Sequence, residues 1–118
     1  MDGSQLKHGM TQFIGTENYY RHVLSRMKYT DGVQFFAENA GGGAYWFLDI
    51  VGTELMQIQM TQPFISIKLN IIESKADIIA TDGNDNILWR RSIEYTDCPE
   101  GEWSFYLIDG IMLLTREY

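Results

Sequence analysis

His22 and Asp49 are the two residues of this chain that could together carry acid–base chemistry, one able to exchange a proton near neutrality and the other a carboxylate set in the most apolar stretch, Ala44-Tyr45-Trp46-Phe47-Leu48-Asp49-Ile50-Val51. They work as a catalytic pair only if they meet beside an open pocket. Tyr19, Tyr20, Arg21, Tyr45 and Trp46 would then line that pocket between helices, which makes a small enzyme or ligand-binding protein the alternative reading. Two considerations weigh against it. The spacing predicts His22 on the polar face of a helix, and aromatics at helical spacing belong more often to a core than to a site. Asp49 needs a hydrogen-bond or charge partner wherever it sits, because a bare buried carboxylate costs several kcal/mol or more.

Other reactive residues offer less. Cys98 lies in Glu94-Tyr95-Thr96-Asp97-Cys98-Pro99-Glu100-Gly101-Glu102, where acidic neighbours raise a thiol pKa rather than lower it, so it is read as a loop or strand-end cysteine. One cysteine and two histidines assemble no zinc-type cluster, and no cofactor is expected. Asp82-Gly83-Asn84-Asp85-Asn86 has the alternating oxygens of a calcium loop, but Ile87 and Ile93 stand where its Gly and Glu belong; it is read as a turn. Gly41-Gly42-Gly43 is not followed by the Lys-Ser or Lys-Thr of a phosphate loop and is read as a helix break.

The elements that position these residues follow from periodicity. Thr16 caps a predicted first helix, with Tyr19, Tyr20, Val23, Leu24 and Met27 on its apolar face. Thr30 or Asp31 caps a second carrying Val33, Phe36, Ala37 and Ala40, and the stretch from Ala44 forms a buried third. Beyond Pro63 the period becomes 2, giving strands near 64–71, 76–81, 87–95, 103–108 and 111–115. The expected fold class is therefore α+β, with about three N-terminal helices packed on one face of an antiparallel meander of about five strands. Residues 1–12 are expected as an N-terminal arm, since Met10 would serve equally well as a start, and residues 13–118 as a single α+β domain.

Charge divides unevenly along the chain. Residues 1–43 are balanced, whereas the remainder carries the whole net charge of -7. Direct nucleic-acid binding is disfavoured by that acidity. No apolar run is long enough to span a membrane, Met1 to Gly9 hold no secretory signal, and the cytoplasm is the expected compartment. Asp97, Glu100 and Glu102, with Glu94, form a hydrated acidic segment suited to steering a basic protein partner. Ile111 to Thr115 has no interior charge to deter strand pairing, so either a homodimer or a covered edge is expected there.

Gly15-Thr16-Glu17-Asn18-Tyr19-Tyr20-Arg21-His22, Tyr29-Thr30-Asp31-Gly32-Val33, Ala37-Glu38-Asn39-Ala40-Gly41 and Ala44-Tyr45-Trp46-Phe47-Leu48-Asp49 resemble the serial motifs of a family of small uncharacterised proteins from bacterial genomes, plasmids and phages. The likeness continues through Asp82-Gly83-Asn84 and Tyr95-Thr96-Asp97 to Glu117-Tyr118. Val23 stands where a tryptophan is expected, and extra glycines widen the break before Ala44. The resemblance implies genomic context and kinship of fold, not chemistry. Together with small size, localised acidity and the lack of a convincing catalytic set, it favours a non-catalytic protein-binding module of mobile-element character, an inhibitor or modulator of a host defence or nucleic-acid-processing protein.

Overall fold

The computed structural model describes residues 1–118, and the departures from expectation begin at its first element. Asp2 caps helix α1 (Gly3–Met10): its carboxylate accepts the Gln5 N–H at 2.8 Å while the Gln5 side chain accepts the Asp2 N–H at 3.1 Å. Leu6 is fully buried and Met10 nearly so. The N-terminal segment thus begins with a helix, which two apolar side chains one helical turn apart dock on the core.

The segment expected as the first amphipathic helix is a hairpin. β1 (Tyr19–Arg21) pairs antiparallel with β2 (Lys28–Thr30). Tyrosine, histidine and valine are indifferent helix formers that suit a pleated surface, so tertiary contacts decide their state. Here β2 adds in parallel to β7 (Ile111–Leu114), with Lys28 opposite Ile111 and Tyr29 opposite Met112.

Thr30 ends β2 and caps α2 (Asp31–Asn39), its hydroxyl accepting the Val33 N–H at 3.3 Å. The glycine break follows. Gly41 lies at φ +60, and a Cβ added there would collide with the Asp97 carbonyl, so only glycine fits. The apolar run from Ala44 is helical, as the glycines on either side of it predict: α3 (Tyr45–Ile50) continues through a π-helical turn (Val51–Leu55) into a last α-turn, α4 (Met56–Gln59). Phe47, Leu48 and Val51 are fully buried along it. No helix is long and apolar enough to cross a membrane.

Alternating sequence then produces β3 (Phe64–Ile72), β4 (Lys75–Thr81), β5 (Ile87–Ile93), β6 (Gly101–Ile108) and β7. The sheet order is β1-β2-β7-β6-β3-β4-β5. The α+β class stands, but a seven-stranded mixed sheet replaces the expected five-stranded antiparallel meander, and α1 takes the place of the helix expected after Thr16, while the other two helical stretches are those expected. β6 lies between β3 and β7, and the one parallel pairing, β2 with β7, joins the hairpin to the rest. Alternation marks a strand without naming its neighbours, and strands of three residues are too short to show a period.

One sheet face carries Ile65, Ile67, Leu69, Ile78, Phe105 and Leu107, all fully buried beneath the helices. Phe36 of α2 and Phe47 of α3 both pack on Phe105, at ring distances of 5.0 and 5.2 Å. On the other face Phe64, Tyr106 and Tyr118 contact one another. The outer edge of β7 is covered by β2, so pairing that strand with a second copy would require displacing the hairpin. β1 and β5 are the sheet's edges.

Candidate functional site

The hairpin places His22 where the sequence pattern does not. Its side chain is buried against the third helical stretch, with Nε2 2.8 Å from Asp49 Oδ1 and Nδ1 2.7 Å from Ser25 Oγ. Ser25 Oγ also accepts the Met27 N–H at 3.2 Å, and His22 N–H donates to the Met27 carbonyl at 2.9 Å. In the neutral imidazole, Nε2–H donates to Asp49, and Nδ1 accepts from the Ser25 hydroxyl. Carboxylate, imidazole and hydroxyl are therefore chained in the order of a hydrolytic triad.

That chain is packed against the third helical stretch. A Cβ added to Gly52, in the π-helical turn, would lie 2.7 Å from both His22 Nδ1 and Ser25 Oγ, so the helix backbone lies directly against the Ser–His contact. A nucleophilic serine needs open space at Oγ and donors facing the developing oxyanion. The groove that Asp49 lines includes neither His22 nor Ser25. Four hydrogen bonds and the buried Met27 side chain instead hold the loop between β1 and β2 in one shape.

That shape turns Val23 and Leu24 outward, 89% and 64% exposed, although the sequence pattern assigns them to an apolar helix face. Arg21, Arg26 and Lys28 flank them, all exposed, while the ion pairs of the chain use other cations. In a chain of net charge -7 this is a local basic and apolar projection.

Beside it runs a groove of about 580 Å³ between α3 and the segment that follows β5. Trp46 and Ile50 form one wall, Ile93 and Tyr95 another, and Asp49 and Asp97 supply carboxylates. Asp97 Oδ2 accepts the Gly42 N–H at 2.8 Å, which ties the glycine break to this loop. Of the residues expected to bind or catalyse, the structure thus brings together Trp46, Asp49 and Asp97, with His22 behind Asp49.

The others lie elsewhere. Tyr20 donates to Asp31 Oδ1 at 2.8 Å, a bond that pushes its hydroxyl pKa up, and it stacks on Tyr29. Tyr45 bonds Glu38 at 3.3 Å, and burial, with charge from Tyr29 and Glu38, pushes it up to about 12. Tyr19 lines a separate cavity near Tyr118. No single interhelical aromatic pocket forms, because these residues sit on a strand and a helix rather than on two facing helices. The acidic segment also divides: Glu102 pairs with Lys68 at 3.4 Å, and Glu100 lies exposed near α1. Cys98 is buried, and burial, with Asp97 adding to it, pushes the thiol up to about 12. Asp82 takes bonds from Asn86 and Asn84 that hold it below the usual carboxylate range, as a turn does. No group of three or more His, Cys, Asp or Glu side chains could hold a metal ion.

Sequence reasoning missed Ser25, Gly52 and the Val23-Leu24 tip. The available signal was a run of three cations, Arg21, Arg26 and Lys28, without an acid among them. Residues 4–118 match a family described as a family of unknown function (DUF6876), and the chain belongs to it. No curated protein and no solved structure matches the chain.

Proposed function

We propose that this member of a family without an assigned activity is a cytoplasmic protein-binding module of mobile-element or phage character. It acts as an inhibitor or modulator of a defence or nucleic-acid-processing protein, and the loop between β1 and β2 is its main contact. The supporting observation is the exposure of Val23 and Leu24 on a loop whose neighbours His22 and Met27 are buried. A pre-shaped loop loses little conformational entropy on docking, so its apolar tip contributes to affinity with little offset. Arg21, Arg26 and Lys28 would meet acidic groups around the partner's apolar pocket.

Wild-type chain and the Leu24→Asp variant, immobilised side by side, are exposed to a bacterial host lysate, and retained proteins are identified by mass spectrometry. A purified partner is then measured against both. Affinity about tenfold or more lower for the variant is expected. Retention of the same proteins at equal affinity would reject the loop as the contact.

A second reading has one specific observation in its favour, the Ser25–His22–Asp49 chain at 2.7 and 2.8 Å. A fluorophosphonate reagent tests it. The clamp predicts no adduct at Ser25, whereas labelling that disappears in His22→Ala would replace the binding proposal with a hydrolase.

A further inference from the structure

We propose that the groove lined by Trp46, Ile50, Ile93, Tyr95, Asp49 and Asp97 receives an arginine side chain of the protein partner. The proposal rests on the binding-module reading for the source of that arginine, and it adds the chemistry of the partner's side.

The groove holds two aromatic faces, two aliphatic walls and two carboxylates, and no cation lines it. Its volume of about 580 Å³ is within the usual range for a recognition pocket. Each carboxylate is fixed at one oxygen only. Asp49 uses Oδ1 for His22, and Asp97 uses Oδ2 for the Gly42 N–H. Asp49 Oδ2 accepts no hydrogen bond from the protein and is the more open acceptor, while Asp97 Oδ1, also without one, lies against Gly41, where an added Cβ would stand 2.5 Å away. The Asp49 side chain is 46% exposed and Tyr95 is 74% exposed, which leaves the groove reachable from outside.

These features select a guanidinium. Its planar fork donates to carboxylates in two directions and stacks on aromatic faces, whereas an ammonium is a compact point charge with stronger hydration. No cation of the chain lines the groove, and Arg91 of β5 is paired with Glu54 of the π-helical turn. Asp49 also connects the groove to the hairpin through His22, so one partner surface could engage both. An arginine beside an apolar protrusion is the partner feature that fits the groove itself.

The test uses the full chain and two synthetic peptides, N-acetyl-Leu-Arg-Leu-amide and its citrulline counterpart, which keeps the shape and removes the charge. Binding is followed by two-dimensional NMR at the Trp46 indole N–H, assigned through Trp46→Phe. The arginine peptide should shift that resonance saturably, and citrulline should weaken binding about tenfold. Tyr95→Ala, at a largely exposed position, should weaken it by a similar factor without disturbing the fold. An unmoved Trp46 signal, equal binding of the two peptides, or unchanged binding to Tyr95→Ala would each overturn the proposal. Leu24→Asp separates the two readings: retained arginine binding without hairpin-dependent partner capture rejects the hairpin alone. Capture that depends on Leu24, without arginine binding, rejects the groove alone.

Discussion

The helix that begins after Ala44 and the hairpin that ends at Thr30 are built from similar residues and use them in opposite ways. In the helix, Phe47 and Leu48 point into the core and Asp49 points out. In the hairpin, His22 and Met27 are buried while Val23 and Leu24 face solvent. Burial follows hydrophobicity where an element rests on the sheet along its length. It departs from hydrophobicity where hydrogen bonds to a neighbouring element decide which side chains turn inward.

The largest effect that would sharpen this contrast lies in the helix. Phe47→Ala should cost about 3–5 kcal/mol, because Phe36 and Phe105 would be left around a cavity. Trp46→Ala, at a partly buried groove wall, should cost less, about 1–2 kcal/mol. Urea melts of the two variants check the difference, and equal losses would make the groove part of the core.

Next comes the contact between the two regions. Gly52→Ala improves helix propensity by about 1 kcal/mol, but its Cβ would meet His22 and Ser25 at 2.7 Å. Overpacking of this kind costs about 1–3 kcal/mol, so net destabilisation is expected. A rise in melting temperature would show that the clamp is loose.

A smaller effect separates the helix and hairpin from the loop that Cys98 anchors. The folded thiol is pushed up to about 12, whereas an unfolded cysteine titrates near about 8.5. A group whose folded pKa is raised contributes stability in full below the unfolded value and loses it as pH rises toward the folded one. Thermal melts should therefore decline from about pH 8.5 toward about 12, and Cys98→Ala should flatten that decline. Identical slopes in the two proteins would assign the decline to other groups such as Tyr45, also held near about 12.

The smallest change is expected at the tip. Leu24→Asp should alter stability by no more than about 0.5 kcal/mol, since the side chain packs on little. A loss above about 1 kcal/mol would show that the tip supports the fold and would withdraw it from the binding surface.

Much of the fold was legible residue by residue. Phe64 to Ile72 and Gly101 to Ile108 alternate cleanly because one face is buried and the other is not. The capping pair Asp2 and Gln5 was also present as a local signal for α1, although the polar composition of that segment conceals it. The hairpin was not legible. Tyr19, Val23, Leu24 and Met27 satisfy a helical stripe, and nothing local reveals that β7 will take up β2 in parallel.

By itself the amino-acid sequence determined which stretches are strands beyond Pro63, that Ala44 to Val51 is a helix, that the glycine run breaks the chain, and that Cys98 has no neighbour to activate it. Each depends on periodicity, backbone freedom or nearby charge, all of which act over a few residues. Tertiary structure alone decided that His22 meets Asp49 across 27 positions, that Asp97 holds the glycine break from 55 positions away, and that Val23 and Leu24 are displayed. Those outcomes depend on which surfaces meet once long-range pairing has been settled, and no local pattern encodes that choice.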